Sequence, residues 1–355
     1  MKLGMTADVH LTTCARHPER YNALESILVC LDELDITDLI IAGDLFDHNV
    51  QNLGEFEALC VRHKRVTLHV IPGNHDPDLD ATHIVAPNVR VYSEPTLVDL
   101  GQPILFVPYR SSTTMGEAVV PFQDQLAAQA WVLVGHGDYY GGSGQVNPYE
   151  PGTYMPLSRS DVERLRPRTV LLGHIHVPVD EAPIYYPGSP CGLDVTESGR
   201  RRFLVYDTST SIVTAQPLVT DVLYFQESFM VLPREDEVQR LRREVQQRIV
   251  DWGVDDSEMS RIQVRVAAHG FCLDRKAITQ ILEDEFSGIT SYKDAGPDVS
   301  KLFVSTNGEM EWLASQVEQL INQQDWTGAL DSDAPDRDQI LEQALRVIYG
   351  QGTAS

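Results

Sequence analysis

The amino-acid sequence predicts an α/β fold in which helices cover stacked sheets, followed by a smaller α+β module. Short apolar runs alternate with helical stretches over the first half of the chain, and side chains of metal-binding type follow the ends of those runs. After about residue 180 the pattern changes to consecutive strands. A chain of 355 residues is too long for a comfortable single core, so two or three domains are expected.

Five apolar runs in the first half are interpreted as buried strands, at residues 3–7, 39–42, 66–71, 131–134 and 170–172. Each run ends within a residue or two of a glycine or a residue of metal-binding type. Residues 19–35 carry apolar side chains at helical spacing, and a second helix is expected at 53–63. The loops at the carboxyl ends of the strands would converge on one point, because the rigid sheet fixes their positions.

Strands at 184–186, 203–207 and 212–217 are expected to complete the second sheet of a β-sandwich. A smaller module begins near residue 219, with a strand at 222–231, a charged helix at 234–251, an alternating strand at 261–267 and a helix at 274–286 that Asp274 caps. A helix near 308–322, an acidic linker at 325–338 and a final helix with an apolar face follow. The predicted domains are therefore 1–218, an α+β domain at 219–297 and a C-terminal helical segment at 298–355.

Composition indicates a cytoplasmic protein with reduced cysteines. The hydrophobic fraction of 42% is ordinary, there is no run of about 18 apolar residues, and a first motif at Asp8 leaves no room for a cleaved signal peptide. The cysteines are odd in number and contain no Cys-x-x-Cys pair, so we expect reduced, mostly buried thiols rather than disulfides or a zinc site.

The net charge of −24 bears on the substrate, because a protein that grips DNA unaided normally presents a basic face to the phosphates. If DNA is the substrate, most of the positive charge that binds it must come from outside this chain. Only five of the 28 basic residues are lysine, and acid-rich, lysine-poor chains also occur in salt-loving organisms. The charge is thus open to a second interpretation, as a mark of habitat.

Five short blocks carry the chemistry of the chain. They are Asp8-Val9-His10, Gly43-Asp44-Leu45-Phe46-Asp47, Gly73-Asn74-His75-Asp76, Gly135-His136-Gly137-Asp138 and Gly173-His174-Ile175-His176. Each block alone is a common turn, cap or core histidine. Five of them in this order after five strands indicate a site for two metal ions, since carboxylate, amide and imidazole donors suit Mn²⁺, Fe²⁺ or Zn²⁺ and a pair of such ions activates water against a phosphate ester.

Two positions in these blocks stand out chemically. Asp44 follows a strand and a glycine that allows close backbone approach, so its two carboxylate oxygens are suited to bridge two ions roughly 3.5 to 4 Å apart. Asn74 is informative because a neutral amide oxygen is an unusual metal ligand.

The blocks resemble those of the calcineurin-like metallophosphoesterase superfamily over roughly residues 1–218. The resemblance implies a four-layer α-β-β-α sandwich holding two divalent ions, Mn²⁺ first, with Fe²⁺, Zn²⁺ and Mg²⁺ as alternatives. It implies that one ion is held by Asp8, His10, Asp44 and His176, and the other by Asp44, Asn74, His136 and His174. No ligand position is missing, which argues against a noncatalytic scaffold.

His75 is not needed as a ligand and is assigned a catalytic role. An imidazole there can stabilise charge on the phosphoryl group or protonate the leaving alkoxide. The resemblance places Asp47 where an acidic side chain orients this histidine, so we predict an Asp47–His75 hydrogen bond. Asp76 and Asp138 are interpreted as residues that order their loops.

Within the superfamily, three features favour the Mre11/SbcD nucleases. His48 stands where protein phosphatases have the arginine of Asp-Arg-Gly, the Gly188-Ser189-Pro190 turn with its flanking residues is similar to the turn after the last histidines in those nucleases, and about 135 residues follow the catalytic fold. The resemblance implies an exonuclease and endonuclease that acts on DNA in repair and recombination. It also implies an SbcC/Rad50-like ATPase partner, bound by the helix near 308–322 or the last helix, and a homodimer through the helix at 53–63 and the loop after Asp76.

Alternatives remain open at this point. The chain could be a small-molecule phosphodiesterase or phosphatase for cyclic nucleotides or nucleotide derivatives, or a structural subunit with vestigial catalysis. The candidate partner helices could instead pack on their own domain. The basic clusters Arg200-Arg201-Arg202 and Arg240-Leu241-Arg242-Arg243 are interpreted first as solvated charge and second as phosphate contacts.

Overall fold

The structure is a computed structural model that describes residues 1–47, 53–127, 129–140, 152–233, 235–305, 311–324 and 337–350. Residue packing divides the chain into two compact units. The first comprises Met1–Leu193 and Arg200–Val222, and the second comprises Asp194–Gly199 and Leu223–Ser355. The predicted boundaries at residues 218 and 297 are not tested by this division and stay predictions.

The strands of the first unit are β1 (Lys2–Thr6), β2 (Asp38–Ala42), β3 (Thr67–Ile71), β4 (Val89–Val91), β5 (Thr96–Asp99), β6 (Pro103–Val107), β7 (Val132–His136), β8 (Tyr139–Tyr140), β9 (Leu157–Ser158), β10 (Thr169–Gly173), β11 (Val179–Glu181), β12 (Ile184–Tyr186), β13 (Arg202–Asp207) and β14 (Ile212–Pro217). Its helices are α1 (Pro18–Glu33), α2 (Leu53–Arg62), α3 (Met115–Val119), α4 (Gln123–Leu126) and α5 (Arg159–Leu165). The five buried strands and both helices predicted in the first half are present, with bounds that differ by one or two residues.

The first unit is a sandwich of two six-stranded sheets, in the orders β14-β13-β1-β2-β3-β4 and β11-β12-β10-β7-β6-β5. The central strands of both sheets are parallel and apolar on both faces. Leu3 and Ile40 of one sheet pack against Phe106 and Leu171 of the other. Helices α1 and α2 cover the outer face of the first sheet, and α3 to α5 cover the outer face of the second. The predicted four-layer α-β-β-α sandwich is therefore confirmed.

One prediction about this sandwich was wrong. Strands β13 and β14 were expected in the second sheet with β12, yet only β12 joins it. Strand β13 pairs antiparallel with β1 in the first sheet, in the register that sets Leu204 opposite Met5 and Tyr206 opposite Leu3. An apolar run such as that of β13 shows that a strand is buried, but both sheets offer an apolar inner face, so the run does not select the sheet edge that the strand joins.

The second unit contains β15 (Leu223–Val231), β16 (Ile262–Cys272), β17 (Thr290–Ser291), β18 (Asp298–Val304), α6 (Glu237–Asp251), α7 (Arg275–Glu285), α8 (Glu311–Asn322) and α9 (Arg337–Gly350). Strand β16 pairs in parallel with β15, β17 and β18. The Asp274 carboxylate accepts hydrogen bonds from the amides of Lys276 and Ala277, which confirms the predicted cap of α7.

The segment from residue 298, predicted to be helical, begins with a strand. Leu302 of β18 is fully buried and lies opposite Gly270 of β16, so it completes the core of the second unit. The helices α8 and α9 pack on each other and on β16 through Phe271, Ala314, Leu341 and Leu345. Residues 325–336 of the predicted acidic linker lie outside the described residues.

Two expectations from composition can be checked on the described chain. All five cysteines, Cys14, Cys30, Cys60, Cys191 and Cys272, are free thiols, and the last three of them are buried. No described helix has both the length and the apolar composition that crossing a bilayer requires.

Candidate metal centre

The five sequence blocks meet at the carboxyl ends of central strands from both sheets. Asp8 and His10 follow β1, Asp44 follows β2, and Asn74 and His75 follow β3. In the second sheet, His136 ends β7, and His174 and His176 follow β10. The sandwich thus brings together, across its two sheets, every residue for which the sequence predicts metal binding.

One cluster consists of Asp8, His10 and His176, whose ligand atoms lie within 4.8 Å of one another. The Nε2 atoms of His10 and His176 are 3.2 Å apart. The His174 amide donates to both oxygens of the Asp8 carboxylate, at 2.9 and 3.1 Å. Two imidazole nitrogens and a carboxylate that converge in this way can hold a divalent cation.

The second cluster is centred on the side-chain oxygen of Asn74. That oxygen lies 2.8 Å from Nε2 of His136 and 3.0 Å from Nδ1 of His174. The other ring nitrogen of His136, Nδ1, lies 2.8 Å from the carbonyl oxygen of Ala42. Donation to that carbonyl would leave Nε2 with a lone pair for a metal.

Asp44 lies between the two clusters. Its Oδ2 atom is 3.3 Å from Nε2 of His136 and 3.7 Å from Nε2 of His10. Its Oδ1 atom accepts a hydrogen bond of 2.8 Å from the His75 amide. Oδ2 therefore lies near a ligand nitrogen of each cluster, while Oδ1 is bound by the backbone.

The spacing of these donors fits metal ions. Ligands about 2.1 Å from an ion lie about 3.0 Å apart in octahedral and about 3.4 Å apart in tetrahedral geometry. The donor distances of 2.8 to 3.7 Å bracket those values. The residues present therefore fit two divalent cations that share the Asp44 carboxylate.

The pKa shifts of the buried ligand residues also bear on metal binding. Burial raises the pKa of Asp8 to about 6 and lowers the pKa of His10 to about 3. Burial also lowers the pKa of His136, but the carboxylates of Asp44 and Asp8 outweigh it and raise that pKa to about 9. Cations in the clusters would hold the carboxylates ionised and the imidazoles neutral, which are the forms that bind metals.

The backbone of the site is strained at its ligands. Asp8, His10, Asp44 and His174 have φ values of +54°, +49°, +51° and +97°, a region that residues other than glycine rarely adopt. Such conformations cost of order 1 to 3 kcal/mol each and persist where the surrounding structure holds them. The loops therefore keep the ligand side chains in place at an energetic cost.

Glycines allow the loops to approach one another. A Cβ atom on Gly43 would overlap the His136 ring, and one on Gly73 would overlap the Asp44 carboxylate. These two glycines directly precede Asp44 and Asn74, so the metal-binding side chains can converge only if the preceding residue has no side chain.

His75 lies beside the first cluster with Asp47 near it. Its ring packs edge-on against the His10 ring, with centroids 4.6 Å apart. The His75 Nδ1 and Asp47 Oδ1 atoms are 3.5 Å apart, which is ion-pair distance and longer than an ordinary hydrogen bond. The two side chains therefore face each other, at a distance longer than that of the predicted hydrogen bond.

Asp76 and Asp138 order loops, and Asp138 also faces a ligand. The Asp76 carboxylate accepts from the amides of Phe46 and Gly73, so it joins the loop after β2 to the loop after β3. The Asp138 carboxylate accepts from the Tyr154 amide through Oδ2, and its Oδ1 lies 3.5 Å from Nε2 of His174. A carboxylate at that nitrogen favours Nδ1 of His174 as the metal ligand.

Two buried arginines at the site were not predicted. Arg20 donates to the His10 carbonyl, and Arg201 donates to the His176 carbonyl. A signal for Arg20 was present, because it shares the helical face of Ala23, Leu24 and Ile27, all of them buried. The prediction that Arg201 is solvated charge was wrong, since only 3% of it is exposed.

Two donor clusters that share one carboxylate, at the carboxyl ends of strands in an α-β-β-α sandwich, define a metal-dependent phosphoesterase. The chain belongs to the calcineurin-like phosphoesterase family, which matches residues 1–178. Members of this family use divalent metals, and the chain is accordingly a hydrolase of phosphoester bonds.

Similar proteins include "Exonuclease subunit 1" of Enterobacteria phage T4, which is 29% identical over 197 residues. That match covers 49% of this chain and 54% of the phage protein, so the chain spans about half the length of this relative. The protein TT1561 of Thermus thermophilus is 13% identical, with a TM-score of 0.42 and coverage of 61% of this chain and 98% of that one. A dimetal phosphatase from Danio rerio is 9% identical, with a TM-score of 0.42 and coverage of 61% and 96%. The two structural likenesses have TM-scores below 0.5, and no functional conclusion follows from them.

Proposed function

We propose that this chain is a metal-dependent phosphodiesterase that cleaves DNA, as the nuclease subunit of an SbcCD/Mre11–Rad50-like complex in repair and recombination. The observation that carries the proposal is the position of Asp44 Oδ2 between the two donor clusters, with His75 beside them. The similarity to a protein named as an exonuclease subunit supports nuclease activity.

Two divalent ions, Mn²⁺ in this proposal, would activate water for attack on phosphorus and stabilise the charge that develops on the phosphoryl oxygens. Asp8, His10 and His176 would hold one ion, Asn74, His136 and His174 the other, and Asp44 both. The backbone amides that bind the Asp8 and Asp44 carboxylates orient them toward the clusters. These bonds form before any substrate arrives, so the protein need not reorganise during the reaction.

His75 is placed to handle the proton of the leaving group. It lies next to His10, and one of its ring nitrogens lies within 4.8 Å of ligand atoms of His10 and Asp44. The proposed ligand set is complete without it, so in this proposal the ring acts on the substrate. Asp47 faces Nδ1, which favours a proton on that nitrogen and directs Nε2 away from Asp47. We propose that His75 protonates the leaving oxygen and that Asp47 orients it.

DNA binding by a chain with a net charge of −24 calls for a partner that supplies positive charge. We propose that an SbcC/Rad50-like ATPase is this partner and that it binds α8. The outward side of α8 exposes Trp312 by 70% and Leu320 by 60%, whereas Ala314 of the same helix is buried against α9. Exposed tryptophan and leucine on one helix are typical of a helix that binds a partner.

The homodimer that the resemblance implies is also a proposal. Sedimentation velocity of the isolated chain measures its oligomeric state.

The substrate is tested with the purified chain and Mn²⁺, with and without the ATPase, on linear and hairpin duplex DNA, on 2′,3′- and 3′,5′-cyclic nucleotides, and on bis- and mono-nitrophenyl phosphate. We expect DNA cleavage and hydrolysis of the bis ester, with more cleavage when the ATPase is present. Hydrolysis of cyclic nucleotides without DNA cleavage, even with the ATPase, would instead support a small-molecule phosphodiesterase.

The partner surface is tested by ATPase binding to a Trp312→Ala, Leu320→Ala double variant. The matched control is Val250→Ala, which removes a side chain that is 71% exposed on α6. We expect the double variant to lose ATPase binding and to keep hydrolysis of bis-nitrophenyl phosphate, while the control keeps both. Equal ATPase binding by all three proteins would exclude α8 as the binding helix.

A further inference from the structure

We infer that Arg20 and Arg201 are positioning residues for the first cluster, each fixing one of its histidines through the main-chain carbonyl. The inference rests on the proposed metal centre and concerns one of its two ion sites. Neither guanidinium group reaches the clusters as a ligand. Each is buried behind the loop that carries the histidine, with an exposed fraction of 7% for Arg20 and 3% for Arg201.

On the His10 side, Nη1 of Arg20 donates a hydrogen bond of 2.5 Å to the His10 carbonyl oxygen. The same nitrogen lies 3.7 Å from Oδ2 of Asp47. His10 has a φ of +49°, so its backbone needs an external contact to stay in that conformation. Arg20 lies on α1, and the rigid helix therefore sets where the His10 peptide and its imidazole lie.

On the His176 side, Arg201 supplies several donors to one turn. Its Nη2 donates to the His176 carbonyl oxygen at 2.7 Å and its Nε donates to the Ser189 carbonyl oxygen at 2.9 Å. The Ser189 amide donates to the same His176 oxygen at 3.2 Å. A Cβ atom on Gly188 would lie 2.6 Å from that oxygen, so the Gly188-Ser189 turn closes on His176 only with glycine at this position. This gives the Gly-Ser-Pro block of the sequence a structural role.

The two bonds matter because the histidines of the first cluster face each other closely. Their Nε2 atoms are 3.2 Å apart, and a shift of either peptide changes this separation directly. Neither of these arginine bonds is made to a histidine of the second cluster, where the His136 ring lies against the Ala42 carbonyl instead. Loss of an arginine should therefore weaken one ion site and leave the other intact.

Arginine suits this task better than lysine. A guanidinium group stays charged when buried and presents donors in a fixed planar fork, whereas an ammonium group is a flexible point charge. The carbonyl oxygens at its donors offset part of the cost of burying the charge. Lysine at either position should recover some of the positioning, and an uncharged side chain of similar length, methionine, should recover none.

The test is a Mn²⁺ titration of the full chain after chelation, with free Mn²⁺ followed by its electron paramagnetic resonance signal. For the wild-type chain we expect two bound ions. For Arg20→Met and Arg201→Met we expect one ion to bind about 10- to 100-fold more weakly and the other with unchanged affinity. The lysine variants should fall between these and the wild type.

The matched control is Arg202→Met. Arg202 is the next residue in the chain and the first of β13, but its guanidinium donates to the Asp180 carboxylate and the Tyr186 carbonyl rather than to His176. We expect both ions to bind the control with wild-type affinity. If a methionine variant does not fold, as judged by circular dichroism, the lysine variant of the same arginine carries the test.

Unchanged binding of both ions by the folded variants would overturn the inference, and so would equal weakening of both ions, which is the mark of a merely structural role. A wild-type chain that binds no Mn²⁺ would overturn the metal centre itself, and the inference with it. A wild-type chain that binds two ions but does not cleave DNA would leave the inference standing and overturn only the proposed substrate.

Discussion

His75 and Asp47 are expected to act as one catalytic unit, so that removing Asp47 costs activity only while His75 is present. The structure motivates this expectation, because the Asp47 carboxylate faces His75 Nδ1 at 3.5 Å. Asp47 is not among the residues of either donor cluster. The perturbations are His75→Gln, Asp47→Asn and the double substitution.

The magnitudes follow from the role and the geometry. Loss of a positioned general acid typically lowers the rate by about 10²- to 10⁴-fold, equivalent to about 2.7 to 5.4 kcal/mol of activation free energy. A charge pair at 3.5 Å interacts by about 5 kcal/mol at an effective dielectric constant of about 20. The Asp47 side chain is 36% exposed, and solvent screening reduces this to about 0.2 to 1 kcal/mol. Asp47→Asn should then lower kcat about 1.5- to 5-fold.

The assay is kcat for hydrolysis of bis-nitrophenyl phosphate at saturating Mn²⁺, combined with Mn²⁺ stoichiometry for each variant. Asp78→Asn is the control, because Asp78 is exposed on the loop that follows His75. We expect the double variant to be no slower than His75→Gln, since Asp47 has no histidine left to orient. All variants should bind two ions.

Two results would refute the reasoning. If the effects of the two single substitutions multiply in the double variant, Asp47 acts on the reaction independently of His75. If Asp47→Asn loses a metal ion, its effect runs through the metal centre instead of through the imidazole.

Three further outcomes are expected. Asp44→Ala should abolish binding of both ions and turnover, whereas His75→Gln should keep both ions, as measured by Mn²⁺ stoichiometry; equal metal loss would contradict the assigned roles. Gly73→Ala should weaken Mn²⁺ binding, because its Cβ would overlap the Asp44 carboxylate. Gly54 lies on α2 with nothing within 4 Å of an added Cβ, so Gly54→Ala should instead raise the free energy of unfolding by about 0.5 to 1 kcal/mol. Burial raises the pKa of Asp38, but hydrogen bonds from His69 and Thr37 outweigh it and leave that pKa lowered. The stability that this carboxylate adds should be present above its ordinary pKa of 3.8 and lost as the pH falls below that value. The difference in unfolding free energy between wild type and Asp38→Asn should therefore shrink in acid. A difference independent of pH would contradict this.

The elements of the first half could be predicted because their signals are local. A buried parallel strand shows a continuous apolar run, and α1 shows apolar residues at helical spacing. Strands β4 to β6 and helices α3 to α5 were not predicted. Helices α3 to α5 have at most seven residues each, too few to show a period.

The placement of β13 could not be predicted for a different reason. Its apolar run marks a buried strand, but the choice between two sheet edges depends on the pairing partner, here β1. That partner is about 200 residues away in the chain, as the pairing of Leu3 with Tyr206 illustrates. Pairing over such a distance leaves no trace in a short window of sequence.

The sequence by itself determined which residues can hold the metals, because the choice of aspartate, asparagine and histidine is a matter of side-chain chemistry and is written in the five blocks. It also determined that these residues follow strands, since the apolar runs before them are local. Only the tertiary structure decided that Asp44 offers one oxygen to both clusters, that His75 and Asp47 face each other at 3.5 Å, and that buried Arg20 and Arg201 bind the carbonyls of His10 and His176. The physical reason is distance along the chain: these contacts join loops from different strands, and their geometry exists only when both sheets have packed.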